Sequence, residues 1–248
     1  MRDIIFERTP RRIRVEVNSV FVADSTHAMI KIETSIPVYY LPLSDIRRDL
    51  LVPTDHTKFC PRKGRARFWS IKVDKHVAEN AVWNYPEPLP DSPPIAPYAA
   101  FVWDRVNHWY EEDEEIFRHP RNPYKRVDAI RSSRRVQVIL CGSVVADTNR
   151  AVFLFETGLP TRYYIPREDI RACTFEPSER QTRCPYKGVA AYHSVIIGKQ
   201  RYPDLVWYYP DPIEECPKIA GLISFFNEKV DAILVDGEIM EKPSTPWS

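Results

Sequence analysis

Little glycine, no close cysteine pair, no long apolar run and almost no net charge: each lack closes off a class of protein. Only 7 of the 248 residues are glycine. Neither G-x-G-x-x-G nor G-x-x-x-x-G-K-[ST] occurs, so no glycine-rich loop is present to cradle a phosphate. The cysteines, Cys60, Cys141, Cys173, Cys184 and Cys216, are odd in number and contain no C-x-x-C. That argues against a zinc knuckle and a disulfide framework, and for reduced thiols in the cytoplasm. A formal net charge of +1 offers no field for nucleic acid or an anionic membrane. No run of about 18 apolar residues occurs, and MRDIIFERTPRR lacks an apolar signal core, so neither a membrane span nor a secretion signal is expected. Nothing in the pattern asks for a metal or an organic cofactor.

What the chain does have is proline, 23 residues of it, and 12% aromatics on an ordinary globular background of 44% hydrophobic and 28% charged residues. Proline breaks helices and sits at strand edges and turns, so short strands joined by stiff loops are expected.

The chain also repeats itself. VFVADS at 20–25 returns as SVVADT at 143–148, and IKIETSIPVYYLPLSDIR at 30–47 as FLFETGLPTRYYIPREDIR at 153–171. CPRKGRARFWS at 60–70 returns as CPYKGVAAYHS at 184–194, and VWNYPEP at 82–88 as VWYYPDP at 206–212. Order and spacing are kept, so the reading is two domains, 1–116 and 134–248, joined by a basic, proline-containing linker at 117–133. In each copy IRVEV or VQVIL alternates as a strand. A two-residue turn, Asn18-Ser19 or Cys141-Gly142, then leads into a second strand as a hairpin. FWSIKV and YHSVII alternate likewise. Ile95, Tyr98, Ala99, Val102 and Val106 recur at helical spacing, as do Ile219, Leu222, Ile223, Phe226 and Val230. One helix per copy is therefore predicted, beginning near Pro94 and Lys218 and followed by a final hairpin. The fold class is mainly β, with antiparallel sheets plus one helix in each domain.

Comparing the copies filters the candidate chemistry. No histidine survives: His56 corresponds to Arg180, and His193 to Trp69, so no catalytic histidine pair is common to both copies. Surviving pairs are Cys60/Cys184, Lys63/Lys187, Glu33/Glu156, Asp45/Asp169, Ser70/Ser194, Trp83/Trp207 and Tyr85/Tyr209. In C-P-x-K-G an ammonium three residues from a thiol would sharpen it as a nucleophile. The same pentapeptide also reads as a tight turn with a packed cysteine. Glu156 shares a strand face with Val152 and Leu154, and Glu33 with Met29 and Lys31. A carboxylate so placed needs a partner, and Lys187 or a tyrosine hydroxyl is a candidate. V-W-x-Y-P-[ED]-P holds flat aromatics on stiff backbone, suited to a pocket wall or to a core.

These blocks, V-A-[DE]-[ST], E-T-x-x-P, Y-Y-x-P-x-x-D-[IV]-R, C-P-x-K-G and W-x-Y-P-[ED]-P, resemble the tandem form of the domain of unknown function 427 family over nearly the whole chain. Copy one carries Arg62 where the family pattern has an aromatic. The resemblance implies a β-tent-like fold, two antiparallel sheets leaning together with a cavity between them. It also brings a nucleotidyltransferase-like heading, which would need a Mg²⁺ carboxylate cluster that the sequence does not repeat.

The resulting expectation is a pair of domains that bind a small, anionic or planar molecule between their sheets. Lys63/Lys187 would supply charge, Trp83/Trp207 and Tyr85/Tyr209 the walls, and Glu33/Glu156 with Ser70/Ser194 the hydrogen bonds. Two alternatives stay open: an enzyme using Cys60/Cys184 as nucleophile or Glu33/Glu156 as general base, and a bivalent interaction scaffold.

Overall fold

The computed structural model describes residues 4–34 and 36–245. Alternation dominates the sequence and strands dominate the structure. The chain divides into two compact units, residues 1–122 and 123–248.

The first unit contains β1 Ile5–Arg8, β2 Ile13–Val17, β3 Val20–Ser25, β4 Met29–Ile32, β5 Val38–Pro42, β6 Leu51–Cys60, β7 Gly64–Val73, β8 His76–Asn84, β9 Tyr98–Phe101, β10 His108–Glu111 and β11 Glu114–Ile116. They form a seven-stranded antiparallel sheet, in the order β1-β4-β5-β9-β8-β7-β6, and a four-stranded one, β11-β10-β2-β3. The second unit contains β12 Val127–Arg131, β13 Val136–Leu140, β14 Ser143–Thr148, β15 Val152–Glu156, β16 Arg162–Ile165, β17 Thr174–Cys184, β18 Gly188–Ile197, β19 Gln200–Tyr208, β20 Ile223–Phe225, β21 Ala232–Val235 and β22 Glu238–Ile239. Its sheets, β12-β15-β16-β20-β19-β18-β17 and β14-β13-β21-β22, repeat the topology strand for strand.

Local sequence explains most of these elements. IRVEV and VQVIL bury every second residue. The two-residue turns after them need positive φ at both positions, and Asn18, Ser19, Cys141 and Gly142 all supply it. The final hairpins also form, as β10–β11 and β21–β22.

Two expectations fail. Among the described residues there is no α-helix, only short 3-10 turns such as Trp103–Arg105 and Pro217–Ile219. The segments with helical spacing instead hold β9 and β20. Each lies inside its large sheet and is buried on both faces. A continuous apolar run such as YAAF or ISF satisfies a helical period as readily as a strand one, so spacing alone misleads. Pro97 precedes β9, and Gly221, at φ +68°, precedes β20, which favours an extended start over a helical one. The stretch 117–133, read as a linker, contains β12, which pairs along β15 from Val127↔Glu156 to Arg131↔Val152. It is the counterpart of β1, which pairs with β4. Its sequence shares nothing obvious with IFER, so comparing the copies did not reveal it.

Among the described residues, the space between the sheets of the first unit is packed as core. In the first unit Ile13, Val15 and Val17 of the small sheet pack with Tyr39, Leu41, Ile71, Val82, Ala99 and Phe101 of the large one. Burying such a side chain contributes about 1.5–3 kcal/mol. The alternate residues Tyr40, Ala66 and Ala100 form a second cluster with Cys60, Phe68 and Trp83 on the other face of the large sheet.

Candidate functional site

The pentapeptide C-P-x-K-G makes a tight turn between β6 and β7, and again between β17 and β18. The Lys63 amide donates to the Cys60 carbonyl at 3.2 Å, and Lys187 to Cys184 at 3.3 Å. Gly64 and Gly188 take φ of +98° and +103°, which L-residues disfavour. A methyl group on either would stand 3.2 Å from a backbone oxygen, that of Glu87 or Asp211. The W-x-Y-P-[ED]-P segment is clasped there: Leu89 donates to the Lys63 carbonyl and Ile213 to the Lys187 carbonyl, both at 3.2 Å. The pentapeptide is therefore a turn first, and glycine is required at its end.

The turn also aims the lysine. Lys63 Nζ lies 2.5 Å from Glu33, just past the end of β4. Five strand steps separate β4 from β6 in the sheet order, which laid flat would span about 24 Å. The ion pair closes that gap, so the large sheet curls and encloses its second face.

Two further cations meet Glu33. Lys31 reaches it at 2.8 Å and Arg62 at 3.1 Å. Burial opposes ionisation of Glu33, but the hydrogen bonds from Lys31 and Lys63 outweigh it and bring its carboxyl down to about 2. Burial pushes the Lys31 ammonium below its usual value; Glu33 opposes that, and Lys63 adds repulsion. Burial would raise the Cys60 thiol, but the Arg62 amide and the Lys63 ammonium overcome it and the thiol lies below its usual range. Tyr85, held beside Cys60, is pushed up to about 12, chiefly by burial. A pocket of about 520 Å³ opens over this cluster, lined by Lys31, Lys58, Lys63, Tyr40, Cys60, Phe68, Trp83, Tyr85, Val102 and Arg105 among others. It lies on the second face of the large sheet, which corrects the expected position between the sheets.

The second unit builds the same centre differently. Lys187 pairs with Glu156 as Lys63 does with Glu33, and Lys125 takes the other carboxylate oxygen at 2.7 Å. Lys125 comes from the segment leading into β12, while Leu154 stands where β4 has Lys31. Tyr186 replaces Arg62, and its ring lies 5.0 Å from the Lys125 ammonium. Glu156 is held below the usual carboxylate range: burial opposes this, and Lys187 and Lys125 outweigh it. Lys187 is raised, because Cys184 and Glu156 beside it overcome the effect of burial.

Over this centre the second unit packs its own side chains. Phe226 lies 4.6 Å from Trp207, and the Arg162 guanidinium covers Trp207 at 5.5 Å. Arg162 also forms a buried pair with Glu228 at 2.6 Å, and Thr245 donates to Glu228 at 2.7 Å. Trp207 donates its indole N–H to Tyr164 at 3.0 Å. The first unit has Val102, Val38 and Asp104 at the positions of Phe226, Arg162 and Glu228.

The sequence candidates separate accordingly. The structure brings together Lys63, Glu33, Cys60, Trp83 and Tyr85 in one unit, and Lys187, Glu156, Cys184, Trp207 and Tyr209 in the other. Ser70 and Ser194 take a backbone role: their hydroxyls accept from the Asn80 and Asp204 amides at 3.1 and 3.3 Å. Those two residues have φ of +48° and +49° beside a bulge in each ladder, so the serines anchor a bulge. Lys125, Arg162, Glu228 and the Val102/Phe226 pair escaped sequence reasoning, because a filter for repeated residues discards differences. Tyr40 and Tyr164 escaped as well, and the repeated Tyr-Tyr at 39–40 and 163–164 is the signal that could have found them.

A family model described as a domain of unknown function, DUF427, matches residues 5–112 and again 128–236. The chain belongs to the DUF427 family, in a tandem arrangement. Each matched range holds one lysine–glutamate pair, Lys63 with Glu33 or Lys187 with Glu156, while Lys125 lies just before the second range, which begins inside β12. No curated protein matches the chain. No helix among the described residues is long and apolar enough to cross a membrane.

Proposed function

We propose that this DUF427 protein is a small-molecule-binding protein whose ligand site is the pocket of the first domain. One observation carries the reading: a 520 Å³ pocket with Tyr40, Trp83 and Tyr85 in its wall and Lys31 and Lys63 at its base. Ligand sites combine apolar walls with a few convergent polar groups, and they fall in the same range of size. Each domain is read as β-tent-like, in a cytoplasmic protein, with the site on the large sheet's enclosed face. Ligand-observed NMR screening of the full chain against a small-metabolite library tests this. Some compounds should bind the wild type and lose binding in Val102→Phe, which fills the pocket. If no compound distinguishes the two folded proteins, the reading fails.

The lowered Cys60 thiol, which lines the same pocket beside Lys63, favours a second reading in which Cys60 attacks a bound electrophile. Iodoacetamide labelling at graded pH decides this. A Cys60 that alkylates with an apparent pKa near neutrality supports catalysis, and one that stays inert to pH 9 leaves binding alone.

A further inference from the structure

Val102 and Phe226 hang from the same backbone position. The Val102 amide donates to the Ala81 carbonyl at 2.7 Å, and the Phe226 amide to the Leu205 carbonyl at 3.1 Å, at matching points of the two sheets. Val102 lines the open pocket. The Phe226 ring instead projects onto Trp207 at 4.6 Å and lies near-parallel to Tyr192, 6.5 Å away with an interplanar angle of 17°. Trp207 and Tyr192 correspond to Trp83 and Phe68, whose rings are 6.3 Å apart in the pocket wall. The second domain thus carries, on its own chain, a six-membered ring in the space the first leaves open.

Charge supplies the second clue. Among the described residues lining the open pocket none is acidic, whereas Lys31, Lys58, Lys63 and Arg105 are basic. Glu33 meets both Lys31 and Lys63, so its single charge leaves the base of the pocket positive. In the second domain the Arg162 guanidinium lies over Trp207 and pairs with Glu228, and that pair is neutral as a unit.

We infer that the first domain takes a flat aromatic acid, its ring where Phe226 lies in the second domain and its acid group toward the lysines, and that the second domain, occupied by its own side chains, takes none. This rests on the pocket reading given under the proposed function and narrows it to one ligand class and one site. Desolvated cations favour an anion over a neutral isostere, and an aromatic wall favours a flat ring over a puckered one.

Calorimetric titration of the full chain with 2-naphthoate, 2-naphthamide and cyclohexanecarboxylate tests the inference. The naphthoate should bind one equivalent, with the amide and the cyclohexane acid each at least tenfold weaker. Val102→Phe should abolish naphthoate binding while Phe226→Leu leaves the first site unchanged. If Val102→Phe does not fold by circular dichroism, Lys58→Glu replaces it, with an expected tenfold loss. Two equivalents in the wild type, equal binding of the amide, or naphthoate binding unaffected by the folded variant would overturn the inference. Screening compounds that bind the pocket but are neutral or non-aromatic would overturn it too, while leaving the pocket reading intact. If no compound of any kind binds the pocket, that reading falls with it.

Discussion

Glu33 and Glu156 occupy equivalent positions, and each gathers at least two ammonium groups, yet one centre faces a pocket and the other is more deeply buried. In the first domain Lys31, Lys63 and Arg62 crowd one carboxylate beneath an open wall of Tyr40, Phe68 and Trp83. In the second, Lys125 and Lys187 share a carboxylate whose side chain is only 4% exposed, with Phe226 and Arg162 packed over Trp207. The buried centre is therefore a structural tie common to both domains, and access above it is what differs. Closure follows from volume: a phenyl ring replaces an isopropyl group and a guanidinium replaces another. Repetition of a motif accordingly does not establish repetition of a function.

The largest expected effect comes from breaking the ties. Glu156→Gln leaves the buried Lys187 and the half-buried Lys125 with no counter-ion, which should destabilise the second domain by about 3–5 kcal/mol. Glu33→Gln should cost roughly half as much, because the pocket admits water to Lys31 and Lys63. Urea unfolding of the full chain measures both, and equal losses would mean that the two centres are equally dry.

A second pair of changes should act alike in both domains. Gly64→Ala and Gly188→Ala each force an L-residue into left-handed backbone against a carbonyl, costing about 2 kcal/mol. Unequal effects would show that the two turns do not carry the same strain.

Acid titration sharpens the comparison further. Glu33 is depressed from 4.5 to about 2 in the folded protein. Its contribution to stability is thus fully present above about pH 4.5 and is lost as pH falls toward 2. The stability difference between wild type and Glu33→Gln should shrink across that window. A difference that stays constant down to pH 2 would remove the charge argument for this centre.

The smallest effects belong to the bulge serines. Ser70→Ala and Ser194→Ala each remove one hydrogen bond to a backbone amide, which should cost about 1 kcal/mol by thermal unfolding and leave ligand binding unchanged. A loss of binding in Ser70→Ala without a loss of stability would restore that serine to the site.

By itself the sequence determined what depends on near neighbours and on repetition. Alternation in IRVEV and VQVIL, positive-φ turn residues and the duplicated blocks are local signals, and they dictated the β class, the hairpins and the two-domain order. The repeated C-P-x-K-G and its partner glutamates likewise pointed to a charged pair before their distance was known. Tertiary structure decided the rest. YAAF and ISF became central strands because both of their faces are covered, a fact of sheet order that spacing cannot express. β12 and Lys125 joined the second domain through pairing with β15, which needs no likeness to β1. The pocket exists because the large sheet curls until β4 meets the β6–β7 turn, and whether it stays open depends on side-chain volumes that meet only after that curl has formed.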